Sequence, residues 1–257
     1  MVTLSILGSG SGGNAAVLAT SRTRLLLDAG FSRKELLRRM QLVGCAAEQL
    51  DGVLITHEHA DHIAGLPRLA SKLSAPVYLN EGTRAAMGAA GDSLERVETI
   101  GAGISFRVGD IEVTPFSVPH DAADTLAFCF RAEGVRIAFI TDLGYLAPHV
   151  LDRIRGADCL VLESNHDLEM LKNGGYPWAL KQRVASRLGH LSNHSLAEFL
   201  RDQFDGAAAH VVLAHLSENN NLPSLALLSA QRALAPRARI PSVQVARQDQ
   251  PLTPICL

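Results

Sequence analysis

Thr56-His57-Glu58-His59-Ala60-Asp61-His62 is the stretch that decides what this chain folds into. It follows Gly52–Ile55, a short aliphatic run that reads as a buried strand, so the polar heptad sits on the loop at that strand's C-terminal end. In an extended segment, residues i and i+2 project to the same side, so His57 and His59 can share one ion. Asp61 and His62 fall where the chain turns into a helix and can address a second ion. Imidazole and carboxylate together suit zinc, iron or manganese. So many donors in one short loop are hard to place in a core, because every buried polar group needs a partner.

One loop cannot complete a metal centre, and the other strand ends supply what is missing. His120 closes Val113–Pro119, Asp142 closes Val135–Thr141, and His215 closes Val211–Ala214. Each alone would more often be an ordinary polar loop residue than a ligand. In a layered sheet, however, such ends converge on one rim, and together they predict a two-metal site. His57, His59 and His120 would hold one ion, Asp61, His62 and His215 the other, with Asp142 between them. A bridging carboxylate offsets the repulsion between cations about 3.5–4 Å apart.

The rest of the chain is consistent with such an enzyme. Its 257 residues are 47% hydrophobic and 19% charged, which excludes disorder. The 21 Gly and 11 Pro follow no period, which excludes a collagenous or low-complexity chain. A net charge of −2 gives no basic field over the whole molecule. No apolar run approaches the roughly 18 residues of a membrane helix, and the opening residues lack the basic region of a secretory signal. Four scattered cysteines without a CxxC pair suit a reducing cytoplasm. With no linker, charge block or repeat, one domain over residues 1–257 is expected.

Strands are predicted at Val2–Leu7, Ala15–Ala19 and Arg24–Leu27, then a helix over Ser32–Val43 with Leu36, Leu37 and Met40 as its apolar stripe. A further helix is expected from the histidine loop through Leu73, ahead of Pro76. Hairpins are expected about Gly109-Asp110 and Ala132–Gly134. Beyond Asp142 the pattern alternates: strands at Cys159–Leu162 and His210–Ala214, helices near Pro177–Leu188, His194–Phe204 and Pro223–Leu234. Hairpins with helices that must cover two sheet faces predict an α/β sandwich of two mixed sheets with helices outside.

From Met170 to Ala197 there is no Asp or Glu, whereas Lys172, Lys181, Arg183 and Arg187 accompany Tyr176 and Trp178. Two readings of this segment stay open. It is either a surface for single-stranded nucleic acid, each stacked ring contributing ~1–3 kcal/mol per base, or a solvated helix over a buried Trp178. Gly8–Gly13 looks like a phosphate-cradling loop, yet it joins two strands and precedes no helix, so the helix-dipole mechanism fails. Ser11 and Asn14 are candidates to face substrate at the same rim, and Asp28 to orient a metal ligand from behind.

The motifs LGSGSGGN (7–14), LLLDAGFS (25–32), THEHADHIAGL (56–66), VPHDAAD (118–124), ITDLGY (140–145), ESNHDLEML (163–171), GGYPWALKQRVASRLGHLSNHS (174–195), LAHLSENNN (213–221) and TPICL (253–257) resemble the YycJ/WalJ group of the metallo-β-lactamase superfamily. They span nearly the whole chain. Leu143 and Thr125 depart from the pattern, and neither is a ligand position. The resemblance implies an αββα four-layer sandwich, with the seven residues named above as ligands of two divalent metal ions, Zn2+ or Mn2+. It implies a cytoplasmic 5′→3′ DNA exonuclease of DNA repair that uses a metal-activated hydroxide as nucleophile, with Asp61 in the catalytic centre. Nucleic acid is then the partner, DNA favoured and RNA possible, with no membrane.

Glu163 and His190 are similar to the glutamate and histidine motifs of tRNA 3′-processing nucleases in the same superfamily. There the histidine serves the leaving group or the phosphate, and the glutamate orients it. A departing alkoxide needs a proton or positive charge, and a carboxylate behind the imidazole keeps it protonated. The other reading is that His190 only caps the helix ending near Gly189. Lys181, Arg183 and Arg187 would bind substrate beside it. The competing function is a small-molecule metallohydrolase of the same fold: a thioesterase, lactonase or cyclic-phosphate esterase. A non-catalytic scaffold is disfavoured because all seven ligand types are present.

Overall fold

Strands buried on both faces read as near-continuous aliphatic runs, and successive side chains along them enter different layers. The computed structural model describes residues 1–257. In β1 (Thr3–Gly8), Leu4 and Ile6 point into the central layer while Leu7 points outward. The first sheet continues through β2 (Ala15–Ala19), β3 (Arg24–Leu27), β4 (Gly52–Leu54), β5 (Val77–Leu79) and β6 (Val97–Thr99). The second runs through β7 (Phe106–Val108), β8 (Ile111–Ser117), β9 (Leu126–Ala132), β10 (Val135–Ile140), β11 (Cys159–Glu163), β12 (His210–Ala214) and β13 (Ser242–Val245). The last strand, β14 (Ile255–Cys256), returns to the first sheet beside β1.

Ile137 and Phe139 of β10 and Val212 and Ala214 of β12 meet β1–β3 in the middle layer. Their neighbours Ala138, Ile140, Val211 and Leu213 face the helices Asn193–Asp202 and Pro223–Leu234, which contribute Leu196, Phe199, Ala226 and Ala230. On the far side, Leu36 and Met40 of the helix Arg33–Leu42 cover Leu26 and Val53. Ser32 caps that helix, its hydroxyl accepting from the Glu35 N–H. The layers are therefore αββα.

Both sheets have one pairing pattern. Three antiparallel pairs (β14·β1, β1·β2, β2·β3 and β7·β8, β8·β9, β9·β10) are followed by three parallel pairs. Asp28 and Asp142 occupy corresponding places just past β3 and β10. Both take left-handed backbone conformations (φ 56° and 55°), as does His215 after β12 (φ 54°). Non-glycine residues rarely adopt this region; a fourth, Glu133 (φ 50°), forms the turn between β9 and β10, and the other three concentrate backbone strain beside the histidine loop.

The helix expected from the histidine loop to Leu73 is instead two pieces, Ala60–Ile63 and Leu66–Ala70. The break is at Gly65, whose N–H donates to the Ala29 carbonyl (2.8 Å) and where a Cβ would meet the Phe31 carbonyl at 2.1 Å. The helix expected over Pro177–Leu188 is shorter, Trp178–Val184. The short strands β5, β6, β13 and β14 are not among those expected from the sequence.

Gly30 joins fold to site: a Cβ there would lie 1.7 Å from the backbone oxygen of Asp61. Gly30→Ala should therefore displace the histidine loop, costing roughly 1–3 kcal/mol and lowering Tm by roughly 2–12 °C. Gly101→Ala, whose nearest neighbour would be 3.6 Å away, should move Tm by less than about 2 °C. Thermal unfolding of the two variants checks this, and equal behaviour would show that the contact at Gly30 relaxes freely.

Candidate active site

The loop after β4 is folded around one carboxylate. Asp28 Oδ1 accepts hydrogen bonds from the Thr56 N–H (2.9 Å) and hydroxyl (3.0 Å), and its Oδ2 lies 2.8 Å from His62 Nδ1. The Thr56 hydroxyl is also 3.0 Å from His57 Nδ1. Fixing the Nδ1 side of each ring leaves Nε2 to face inward, which is how carboxylates behind metal-binding histidines set tautomer and orientation. His59 holds extended geometry (φ −60°, ψ 145°) as the chain enters the short helix Ala60–Ile63, which carries Asp61 and His62.

All seven ligand candidates converge. His57, His59 and His120 place one ligand atom each within 4.8 Å of one another, as do Asp61, His62 and His215, and also His57, His62 and Asp142. His120 Nε2 is 3.3 Å from His59 Nδ1, and His215 Nε2 is 3.2 Å from Asp61 Oδ2. Asp142 stands between the groups, Oδ2 3.2 Å from His62 Nε2 and Oδ1 3.9 Å from His120 Nε2. His57 Nε2 and Asp142 Oδ2 are buried without a properly aligned hydrogen bond. Buried donors of this kind, left unsatisfied among imidazoles and carboxylates, fit a divalent cation.

Glu163, at the end of β11, serves two rings at once. Its Oε1 lies 2.7 Å from His190 Nδ1 and 2.8 Å from His215 Nδ1. Its Oε2 accepts from the backbone N–H groups of Leu143 (3.0 Å) and Leu191 (2.9 Å). The carboxylate is fully buried and all of its near contacts favour the charged form. The His190 side chain is thus bound to Glu163 and does not cap a helix; its backbone N–H takes the Val184 carbonyl (2.9 Å). The ring also lines an open cavity of about 140 Å³ with Ser11, Asp121, Asn165, Tyr176 and Arg183.

Charges divide the cluster into unlike halves. Burial and the neighbouring imidazoles hold His57 well below its ordinary pKa, and burial also lowers His59. Burial opposes protonation of His62 too, but Asp142 and Asp28 outweigh it and raise that ring well above 6.5. In His215 the same opposition is overcome by Asp142, Asp61 and Glu163, and its pKa rises to about 10. Burial works against the charge of Glu163 as well, yet His190 and His215 bring its pKa down to about 2. His190 is raised, Glu163 prevailing over burial.

Not every residue singled out from the sequence faces substrate. Asn14 is buried: its Nδ2 donates to the Gly10 carbonyl (3.0 Å) and Asp61 Oδ2 (3.1 Å), while its Oδ1 accepts from Ser9 and Gly10. It braces Asp61, because the glycine loop wraps inward around its amide. Ser11 is exposed at the cavity. Lys181 donates to the Lys172 carbonyl (2.7 Å), and Arg187 lies over the Tyr145 ring at 4.1 Å. Arg183 pairs with Asp121, the residue next to His120. That pair, the second role of Glu163 and the bracing by Asn14 are not visible in the sequence. Adjacency of Asp121 to a ligand histidine was the one available signal.

Residues 23–216 match the family model described as a beta-lactamase superfamily domain. Over 234 residues the chain is 40% identical to the exodeoxyribonuclease YycJ of Bacillus anthracis, covering 90% of this chain and 88% of that protein. It is 38% identical to the exodeoxyribonuclease WalJ of Streptococcus pneumoniae over 237 residues, 90% of this chain and 87% of the other. In fold it is similar to the metallo-beta-lactamase fold protein YhfI of Bacillus subtilis, with a TM-score of 0.75 at 16% identity over 98% and 100% of the two chains. The short form of human tRNase Z superposes with a TM-score of 0.64 at 17% identity over 98% of both. Sequence, layer order and the histidine–aspartate rim agree: the chain belongs to the beta-lactamase superfamily, with the metallo-β-lactamase fold, in the group that holds YycJ and WalJ.

Proposed function

We propose that this protein is a metal-dependent hydrolase of nucleic acid, a DNA exonuclease working 5′→3′, with residues 1–257 acting as one domain. The observation that carries the reading is Glu163 Oε1 held between His190 and His215, which sets a proton-bearing imidazole against the ligand cluster. The names of the relatives point to DNA as substrate. Two divalent ions, zinc or manganese, are proposed, one at His57, His59 and His120 and one at Asp61, His62 and His215, with Asp142 common to both. Bound there, they would supply positive charge to the phosphate and lower the pKa of water.

The chain's own groups do the rest. Asp28, Thr56 and Asn14 hold the ligand side chains in place from behind. His190 Nδ1 binds Glu163, leaving Nε2 to face the cavity and deliver a proton to the departing alkoxide. Glu163 stays ionised throughout and steadies the imidazolium. No membrane role is part of this reading, and no helix is long and apolar enough to cross a membrane.

Metal content tests the ligand split. Stripped and reloaded protein should hold about two ions per chain. His59→Ala and Asp61→Asn should each fall towards one, by elemental analysis. Retention of both ions in either variant would overturn the assignment. Uptake should also expel protons, since the carboxylates around His62 and His215 raise their pKa values and a ligating imidazole must be deprotonated. Apparent affinity should thus rise with pH from 6.5 towards about 10, with protons released in calorimetric titrations at pH 7.5.

His190→Ala should reduce turnover of DNA by ~10²–10⁴-fold with metal content unchanged. The loss should shrink on a nitrophenyl phosphodiester, whose leaving group needs no proton. Equal losses on both substrates would remove His190 as proton donor. Glu163→Gln should slow the natural substrate less, while also loosening metal at His215, because the same oxygen orients both rings.

A further inference from the structure

The motif that follows His215, Ser217-Glu218-Asn219-Asn220-Asn221, adds nothing to the ligand cluster and instead builds the cavity beside His190. Asn221 Nδ2 pins this loop to the Ser164 and Asn165 carbonyls (2.8 and 3.0 Å). The Asn220 backbone N–H donates to Ser217 Oγ (3.2 Å), and Asn219 Nδ2 donates to the Tyr176 hydroxyl oxygen (3.2 Å). Both hydroxyls line the cavity, and because their oxygens accept from the protein, their hydrogens are left to donate. Arg183 uses Nε on Asp121, which leaves its two terminal nitrogens open. Ser11, exposed in the glycine loop, adds a third hydroxyl. The one carboxylate in the wall, Asp121, is matched by Arg183 at Oδ2 and has His120 Nε2 3.5 Å from Oδ1. Of the helix Trp178–Val184, Leu180, Arg183 and Val184 line the cavity, whereas Trp178 is 73% exposed and forms no part of its wall.

We infer that this cavity holds the terminal 5′-phosphate of the strand, a phosphomonoester, and so sets the cut one nucleotide from the end. The inference rests on the nuclease reading above and adds to it what the enzyme selects at the strand's end. None of the seven ligand candidates lines the cavity, and His190 is the wall it shares with the cluster, so its occupant sits next to the reacting phosphate and not on it. At about 140 Å³ it is smaller than the roughly 300 Å³ at which pockets begin to take whole small molecules, which suits one phosphate group and not a base with its sugar. Position then decides which phosphate. When the first nucleotide is freed, the oxygen of water ends on the second phosphorus. The bond from that phosphorus to the 3′ oxygen of the first nucleotide breaks, and this oxygen takes the proton of His190. The leaving group is the first nucleotide itself, and its 5′-phosphate lies on the far side of the proton donor from the cluster, where the cavity is. Hydroxyl donors and an arginine fork are the groups that bind phosphate oxygens, and an uncharged 5′-hydroxyl would leave them unmatched.

Metal-loaded protein is given 3′-labelled oligothymidylate carrying either a 5′-phosphate or a 5′-hydroxyl, and release of the first nucleotide is timed. The phosphorylated strand should have the higher kcat/KM by roughly 10- to 150-fold, the effect of hydrogen bonds to a charged group. The 5′-hydroxyl strand should show a lag, because its first cleavage exposes a 5′-phosphate for the second. Binding should follow the same order, read by anisotropy of the two strands made with a phosphorothioate backbone. Arg183→Gln should bring the ratio of the two strands towards one. Because it also frees Asp121, the second variant is Tyr176→Phe, which removes one hydroxyl and should lower the ratio roughly 2- to 10-fold. Equal first-step rates, with both strands cleaved, would overturn the inference and leave the nuclease reading standing, as would a ratio that neither variant moves. Failure to bind or cleave either strand, with the nitrophenyl ester still hydrolysed, would refute the nuclease reading with it.

Discussion

A single chain of alternating carboxylates and imidazoles crosses the rim where the two sheets meet, and the rest of the molecule is arranged to sustain it. It runs from Asp28 to His62 (2.8 Å), on to Asp142 (3.2 Å), to His215 (3.3 Å), to Glu163 (2.8 Å) and to His190 (2.7 Å). Asp28, Asp142 and Glu163 are all buried. An isolated buried carboxylate carries a penalty of several kcal/mol even after relaxation, so each must be matched by charge or hydrogen bonds. The neighbouring imidazoles supply this, and the same carboxylates raise the pKa values of His62, His215 and His190. The same groups that make the site costly to fold therefore make it receptive to metal, and the large aliphatic layers behind it bear that cost.

The repeated pairing of the two sheets explains why the chain of charges lies where it does. Each sheet turns from antiparallel to parallel at the strand that ends in a left-handed aspartate, Asp28 in one and Asp142 in the other. Beyond that point, parallel strands deliver their C-terminal ends to one edge, where loops are free to vary without disturbing the layers. The two aspartates have nevertheless taken different work. Asp28 binds Thr56 and the back of His62, whereas Asp142 faces the cluster itself. Equivalent positions in the fold have become a bracing group in one half and a member of the histidine–aspartate cluster in the other.

How much of this was legible in the sequence follows from the range of each interaction. The heptad Thr56–His62 and the strand-end residues His120, Asp142 and His215 could be read because ligand chemistry is local and strands show their period. The layer order followed from hairpins and helices of ordinary length. What escaped was decided by contacts between distant segments. Gly65 breaks a helix because the Ala29 and Phe31 carbonyls crowd it, and nothing near Gly65 in sequence announces them. Asn14 looked like a loop residue facing outward, yet its amide is consumed by Gly10 and Asp61. Exposure of Trp178 was undecidable, since a ring in a basic helix suits either side of the surface.

The exposed helix Trp178–Val184 and the histidine–aspartate cluster are joined by short stretches of chain. The segment carrying Trp178 ends at Gly189, whose carbonyl accepts from His120 Nδ1, and continues directly into His190. Arg183 and Arg187 reach Asp121 and Tyr145, residues that lie next to His120 and shortly after Asp142. Glu163 ties the backbone on both sides of this junction through the N–H groups of Leu143 and Leu191. The segment holds no fully buried residue, and its position is fixed by Arg183 on Asp121, Arg187 over Tyr145 and the Gly189 carbonyl on His120.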